Sequence, residues 1–592
     1  LGDSGSVNGG LIGRDAFVYQ NAWRSYKDPR YLNHLQSFGA TGAKSFSRFE
    51  SLFKAPILAK ATPKQPAKSR LLDGYGMAIL NNPADTVSLS LYYGYRGGHS
   101  HSDRLHFELF ANGNVMMPDT GYPDFMNAYV PGIYTWSKNT ITHNTLTVDA
   151  KKQRGNHPGR VNLFVDKGIA RALDIDAPGS YGETSEYRRR LMMIDFDDAH
   201  SYIIDCFTAK GGSQHDYSLH GPPGTFKAIS GQWSDPAPGT LAGKDVPLGY
   251  IYDNAALAKE GYTGVYHGYN GSGFQHLTGV QHLQSGTVAG EWTHEKDPTA
   301  KLRIYQPKAA SETFLADAQI SPVKQTKLLK YLIAREKGEN LDSTFVSVIE
   351  AISGESKITE VKTHEPTEGQ GRVLEIFWQA DDGTKIRDVV VINTGVEDIK
   401  WTEDTGHTDA TFALTRFANK QETHRWAAGM KKTGLLEGEV TKVDPVKGQV
   451  YVRTAANKGE TESLIGRTVH FENGLRRTAH TITAIEKTEE GLILSLRDDL
   501  RVGHLRLAER VDEGFTTGTG LAFARIYQGT YVTDTKFTKL TAITGVNKEM
   551  VSFLNPKAET PNLVAGQDAW VIDVGPGDHC EIPLVFINTR RK

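Results

Sequence analysis

Val87-Ser88-Leu89-Ser90-Leu91-Tyr92-Tyr93 decides the fold class. Val87, Leu89, Leu91 and Tyr93 take every second position. An extended chain therefore puts them on one face, and Ser88, Ser90 and Tyr92 on the other. Comparable strand-like runs follow at Arg104 to Phe110, Thr145 to Val148, Arg190 to Ile194, Tyr202 to Phe207, Phe345 to Ile352, Val373 to Phe377 and Val389 to Ile392. Asn112-Gly113, Gly211-Gly212 and Asp382-Gly383 fall between them and mark tight turns. Many strands with no helical pattern between them predict a mainly β chain, built on a large antiparallel β-sandwich.

Away from these strands the texture changes. Ala16, Tyr19, Trp23 and Tyr26 recur at helical spacing, Asp28-Pro29 interrupts them, and Tyr31, Leu32, Leu35 and Phe38 start a second helix. A helical pair this short buries no core alone. Residues 54–70 are rich in Pro, Lys and Arg and read as a linker. Farther on, Gly438 to Val443, Gln449 to Arg453, Arg467 to Phe471, Arg477 to Ile485 and Leu492 to Arg497 suggest a separate small β unit. The expected organisation is a helical segment at 1–58, the sandwich at 59–426, a small β domain at 427–512, and a return to the sandwich at 513–592. A chain of 592 residues is expected to hold more than one domain.

The formal net charge is −2, from 67 basic and 69 acidic residues. With no global basic field, nucleic acid is not an expected partner. No stretch approaches the ~20 apolar residues that span a membrane as a helix. Cys206 and Cys580 are the only cysteines, which excludes a disulfide framework and a Cys-based zinc site. Both are expected to be buried free thiols, with one bridge between them as the alternative. The chain opens Leu1-Gly2-Asp3-Ser4 without Met, so an upstream segment is expected.

Chemistry concentrates in three places. Residues 97–101 read Gly-Gly-His-Ser-His, 118–121 read Pro-Asp-Thr-Gly, and 142–145 read Thr-His-Asn-Thr. On a strand, His99 and His101 would share a face, and Gly97-Gly98 would permit close backbone approach. A turn at Asn112-Gly113 pairs residues whose numbers sum to about 225, which sets Asp119 opposite His106. Bringing Asp119 to His101 then requires a bend or bulge near Pro118. Two His and one Asp suit zinc or a similar divalent ion. A hydrogen-bonded sandwich core is the alternative. His215 and His220 lie five apart, on opposite strand faces, and read as satisfied residues at a turn edge. Arg188-Arg189-Arg190 reads as a solvated strand edge, with carboxylate or sulfate binding as the alternative.

Taken together, Gly97 to Asp103, Pro118 to Gly121 and Thr142 to Asn144 resemble the heparinase II/III-like group of polysaccharide lyases. Gly212 to Gly221 and Gly466 to Gly474 are also similar to that group. The resemblance implies an N-terminal α/α toroid followed by a large β-sandwich, and cleavage of uronate-containing polysaccharides by β-elimination. It implies that His99 is catalytic. It also implies that His101, Asp119 and His143 hold a divalent metal, most often Zn2+, in a structural role beside the cleft. Tyr129 or Tyr134 falls where some members place a substrate-contacting tyrosine, and Arg96, just before the first motif, is a further expected substrate contact. The implied partner is an acidic polysaccharide such as alginate, a glycosaminoglycan or ulvan, and the implied location is secreted or periplasmic. Only the last toroid helices would fit within residues 1–58, where Tyr19, Tyr26 and Tyr31 match no family motif. The toroid's catalytic tyrosine and uronate-neutralising residue are therefore expected upstream, and full activity is expected to need them.

The residue types suit that chemistry. Elimination removes the proton on C5, and charge grows on the neighbouring carboxylate, where a donor or cation must meet it. A neutral histidine accepts a proton at working pH, and a tyrosine can protonate the departing O4. His99 is then either the base or the carboxylate's donor. Two other classes stay open: a carbohydrate-binding or scaffold protein with a structural metal, and a zinc hydrolase using metal-bound hydroxide.

Overall fold

The computed structural model describes residue 31 and residues 66–589, apart from 96–99, 122–127, 156, 321–326, 403–405, 432–434, 455–463, 519–520, 522–523 and 555–559. Of the expected helical segment only Tyr31, which is helical, lies among them. Arg96 and His99 lie outside the described residues.

Three β layers position the site. The first is a five-stranded sheet of Arg70–Leu72, Met77–Asn81, Val87–Tyr92, Phe107–Ala111 and Asn114–Met117, paired in that order. Val87, Leu89, Leu91 and Tyr93 are buried, as the alternation requires. Asn112 and Gly113 both take positive φ, 51° and 80°, which suits the tight hairpin between the last two strands.

The middle layer is a thirteen-stranded sheet. Ser201–Gly211 lies inside it, antiparallel to Thr184–Asp195 on one side and Asp342–Ser353 on the other. Ile203 and Phe207 pack towards the first sheet, while Tyr202, Ile204 and Cys206 pack into a second core. A strand covered on both faces has no polar side, which is why Tyr202 to Phe207 reads as an almost unbroken apolar run. The third layer closes that second core. It is a six-stranded sheet of Ile358–His364, Gly371–Gln379, Lys385–Asn393, Phe412–Ala418, Gln421–Ala428 and Val585–Thr589.

Beyond this body lie a closed six-stranded barrel and a seven-stranded sheet. The barrel uses Leu435–Asp444, Gln449–Arg453, Thr468–Asn473, Arg476–Lys487 and Gly491–Leu496, and is completed by His579–Pro583. The expected boundary at 512 instead cuts a hairpin, Arg501–Val511 with Gly514–Thr517, that belongs to the seven-stranded sheet. Of residues 513–589, only Val585–Thr589 pairs with the six-stranded sheet. Periodicity marks strands but not their distant partners, so the reading had no means of assigning them.

Two local readings are corrected. The strand expected at Arg104 to Phe110 begins at Phe107, and residues 100–106 form a loop. Leu105 has φ 60°, and His106 N donates to Asp103 O at 2.9 Å. The shared-face argument for His99 and His101 therefore does not apply. The arginine run is not a solvated edge either. Arg189 and Arg190 are buried, with Arg189 paired to Asp205 and Arg188 to Asp174. Their strand is interior, so each guanidinium needs a carboxylate to offset desolvation. Cys206 and Cys580 are buried free thiols.

Candidate metal centre

The three motifs meet at one point. His101 comes from the loop 100–106, Asp119 follows the strand Asn114–Met117, and His143 follows the short turn Thr140–Thr142. The hairpin register alone would leave Asp119 opposite His106. A bulge solves this: Phe110 pairs with Val115, but Leu109 pairs with Met117, so Met116 is the extra residue. The expected irregularity thus falls just before Pro118. His106 stays close, its Nε2 3.9 Å from Asp119 Oδ2.

His101 Nδ1 lies 3.0 Å from His143 Nε2 and 3.6 Å from Asp119 Oδ1, and His143 Nε2 lies 3.3 Å from Asp119 Oδ2. Zinc–nitrogen and zinc–oxygen bonds of about 2.0–2.2 Å make the edges of a tetrahedron about 3.3–3.6 Å long. The three separations fall on or near that edge length, so the donors fit one small divalent cation. Asp103, which the sequence reading left without a role, is the fourth member. Donor atoms of His101, Asp103, Asp119 and His143 all lie within 4.8 Å of one another, and all four residues are buried.

The surrounding hydrogen bonds set the donors up to ligate. His143 Nδ1 faces the Asn139 carbonyl at 2.7 Å. A carbonyl only accepts, so Nδ1 carries the proton and Nε2 offers its lone pair to the cluster. His106 Nδ1 accepts the backbone N–H of Asn144 at 3.0 Å. Burial favours the uncharged carboxyl of Asp119, but His101 and His143 overcome this and hold it well below the usual carboxylate range. Burial, with His143 adding to it, drives His106 well below the usual histidine value and keeps it neutral. Glu108 is pushed up to about 7, first by burial and then by Asp119. Its carboxylate accepts the backbone N–H of Asp119 at 3.2 Å.

Below the centre, the buried arginine acts as a bolt. Arg189 donates to the carbonyls of both Leu105 and Asn144, joining the loop before the hairpin to the segment after His143. Its guanidinium lies 4.3 Å from the Phe107 ring centroid. The second histidine cluster also finds its place here. His220 donates its backbone N–H to Asn144 Oδ1 at 2.9 Å and lies against Tyr331, whose hydroxyl reaches the Thr142 carbonyl. Burial lowers His220 to about 4, so it is a neutral wall. Glu108 carried no motif, Asn144 stood in the Thr142 to Asn144 motif without a role of its own, and Arg189 was read as part of a solvated strand edge. The available signal was an acid or a base inside an otherwise apolar strand, as in Phe107-Glu108-Leu109.

Tyr129 is 60% exposed, and Tyr134 is half-buried against the ring of His267. A second group of possible metal donors, Glu437, His579 and Glu581, sits on the barrel, where Arg477 already binds Glu581.

Residues 64–237, which contain all four donors, match the family model for the heparinase II/III-like C-terminal domain. In this region the chain is similar to the heparinase II/III-like family. An alginate lyase of Stenotrophomonas maltophilia is 30% identical over 142 residues, covering 21% of this chain and 19% of that protein. An exo-oligoalginate lyase of Saccharophagus degradans is 39% identical over 59 residues, covering 9% of this chain and 8% of that protein. Among solved structures, a heparan sulfate lyase mutant from Pedobacter heparinus aligns with TM-score 0.39 and 15% identity, over 65% of this chain and 49% of that one. The alignments span half or less of each of these relatives.

Proposed function

We propose that the chain is the sandwich portion of a polysaccharide lyase that cleaves a uronate-containing polysaccharide by β-elimination. The observation that carries this reading is the buried His101/Asp119/His143 cluster, two residues along the chain from His99 and inside the region matched to the heparinase II/III-like domain. Alginate is the first substrate to test, because both curated relatives are named for its cleavage. A secreted or periplasmic location goes with such a substrate.

His101, Asp119 and His143 would hold the cation, with Asp103 beside them. A divalent metal, zinc by donor type, would supply a fixed positive charge that locks these side chains together. The chain's own residues then do the rest. The loop 100–106 is tied down by Ser102 N to Lys138 O at 3.1 Å and by Thr140 Oγ1 to Ser102 O at 2.8 Å. His99, two residues before His101 in the chain, is the residue that takes the C5 proton or donates to the uronate carboxylate. Tyr129 or Tyr134 contacts the sugar, and Arg96 supplies positive charge.

The test is ultraviolet absorbance on alginate, glycosaminoglycans and ulvan, with the chain alone and with its upstream sequence. Elimination produces an unsaturated uronate chromophore. Release of reducing ends without it would identify a hydrolase, and binding without product would identify a carbohydrate-binding protein.

A further inference from the structure

Residues 241–273 run without a strand or helix between Ala237–Thr240 and the turn Phe274–His276. Loops longer than about 12–15 residues inside a compact domain are uncommon and usually functional. This one is built rigidly. The Asp253 carboxylate accepts Tyr269 OH at 3.0 Å, Ser272 N at 2.9 Å and Ser272 OH at 3.2 Å. Gly271 makes that cradle possible, since a Cβ there would lie 2.2 Å from Asp253.

The loop is also fastened to the metal centre. Asn139 Nδ2 donates to Gly271 O at 3.0 Å, and the same Asn139 gives its carbonyl to His143. Lys152 N donates to Asn270 O at 3.0 Å, and Tyr266 N to Ala128 O at 2.8 Å, beside Tyr129. The result is an aromatic patch. The His267 ring meets Tyr134 edge-on at 6.3 Å, and Tyr262 meets Tyr266 at 5.1 Å. His267 is exposed, and Tyr134, Tyr262 and Tyr266 are half-exposed.

We propose that Tyr134, Tyr262, Tyr266 and His267 form a saccharide subsite beside the metal centre, holding one sugar of the acidic polysaccharide by its apolar face. The inference rests on the lyase reading for its ligand class. A pyranose ring has an apolar C–H face and a polar rim. Fixed rings with polar tips match both and lose little conformational freedom on binding. The loop's charges are Lys244, Lys259, Asp245, Asp253 and Glu260, close to balance. The subsite therefore reads the sugar ring and leaves the carboxylate to residues at the cleft.

The test is calorimetric titration of the chain with alginate tetrasaccharides, alongside His267→Ala and Tyr266→Ala. Each variant is expected to bind roughly tenfold more weakly, about the worth of one aromatic contact. Metal content and melting temperature should hold, and the slope of affinity against salt should be the parent's. Affinities equal to the parent's overturn the subsite. So does a loss that appears only together with loss of metal, or a parent that binds neither alginate, heparan sulfate nor ulvan oligosaccharides. Elimination is followed in the same samples with the upstream sequence present. Product formed with unchanged variant affinity removes the subsite alone. Ring-dependent binding without product removes the lyase reading alone.

Discussion

Arg189→Met is the most informative perturbation of the candidate metal centre, because this side chain touches no donor yet holds the surrounding backbone. The change removes both bonds to Asp205, of which Nε to Oδ1 is 2.9 Å, and the bonds to the carbonyls of Leu105 and Asn144. Both partners of the ion pair are wholly buried. Breaking a buried pair from one side costs about 3–5 kcal/mol, because the other charge is left uncompensated. Each carbonyl left dry adds about 1–3 kcal/mol. The sum, roughly 5–10 kcal/mol, rivals the whole stability of a typical domain at about 5–15 kcal/mol. Arg189→Met/Asp205→Leu removes the stranded charge and should recover about 3 kcal/mol or more, while leaving the carbonyls unmet. The assay pairs urea denaturation with cobalt titration of the centre by absorbance. The single variant should lose both stability and cobalt binding. The double variant should regain most of the stability while binding cobalt more weakly than the parent. A single variant within about 1 kcal/mol of the parent, less than one buried ion pair is worth, would refute the reasoning, as would a double no better than the single.

Four further outcomes are expected. Elemental analysis should find one divalent ion per chain, lost in His143→Ala, and zinc at a hundredfold excess over its Kd should stabilise the fold by about 2.7 kcal/mol. Asp103→Asn should weaken cobalt binding and change its absorption spectrum, because one of four donors loses its charge; an unchanged spectrum would remove Asp103 from the set. His99→Ala, in the protein with its upstream sequence, should reduce elimination by ~10²–10⁴-fold with metal content intact; loss of metal would make His99 a ligand. His470 is wholly buried, neither ring nitrogen has a hydrogen-bond partner, and burial lowers it to about 3. A depressed histidine gives stability that is present above its unfolded value of about 6.5 and lost as pH falls towards 3. The acid side of the stability profile should therefore flatten in His470→Phe.

The legible parts of this chain were those governed by near neighbours. Val87 to Tyr93 shows its buried face by alternation, and Asn112-Gly113 marks its turn because only certain residues accept positive φ. Three short motifs pointed to His101, Asp119 and His143, which the fold brings within reach of one another. What remained hidden depends on distant partners. The run Arg188-Arg189-Arg190 looks like surface until Asp174 and Asp205 arrive from strands that pair with it. The hairpin arithmetic required a bend or bulge near Pro118, but no residue type fixed it at Met116, where it brings Asp119 to His101. Asp103 stood inside a quoted motif without a role, because the turn from Asp103 to His106 replaces the strand that alternation suggested.

Ala428 and Val585 are hydrogen-bonded neighbours in the six-stranded sheet, although 156 residues separate them along the chain. The barrel and the seven-stranded sheet lie between them, so the chain leaves the body and returns through one doorway. That makes the whole excursion a detachable cassette. A two-residue turn joining 428 to 585 would excise it and keep the local strand order, because paired antiparallel ends can be joined by a tight hairpin. Excision would not be free of consequence. Asp73, which accepts the Tyr93 hydroxyl at 2.7 Å, also accepts the backbone N–H of Ala479 from the cassette, and Thr468 reaches the Phe164 carbonyl. A trimmed chain would have to wet or replace those seams. How well it folds would measure how far the cassette braces the layers that carry the candidate metal centre.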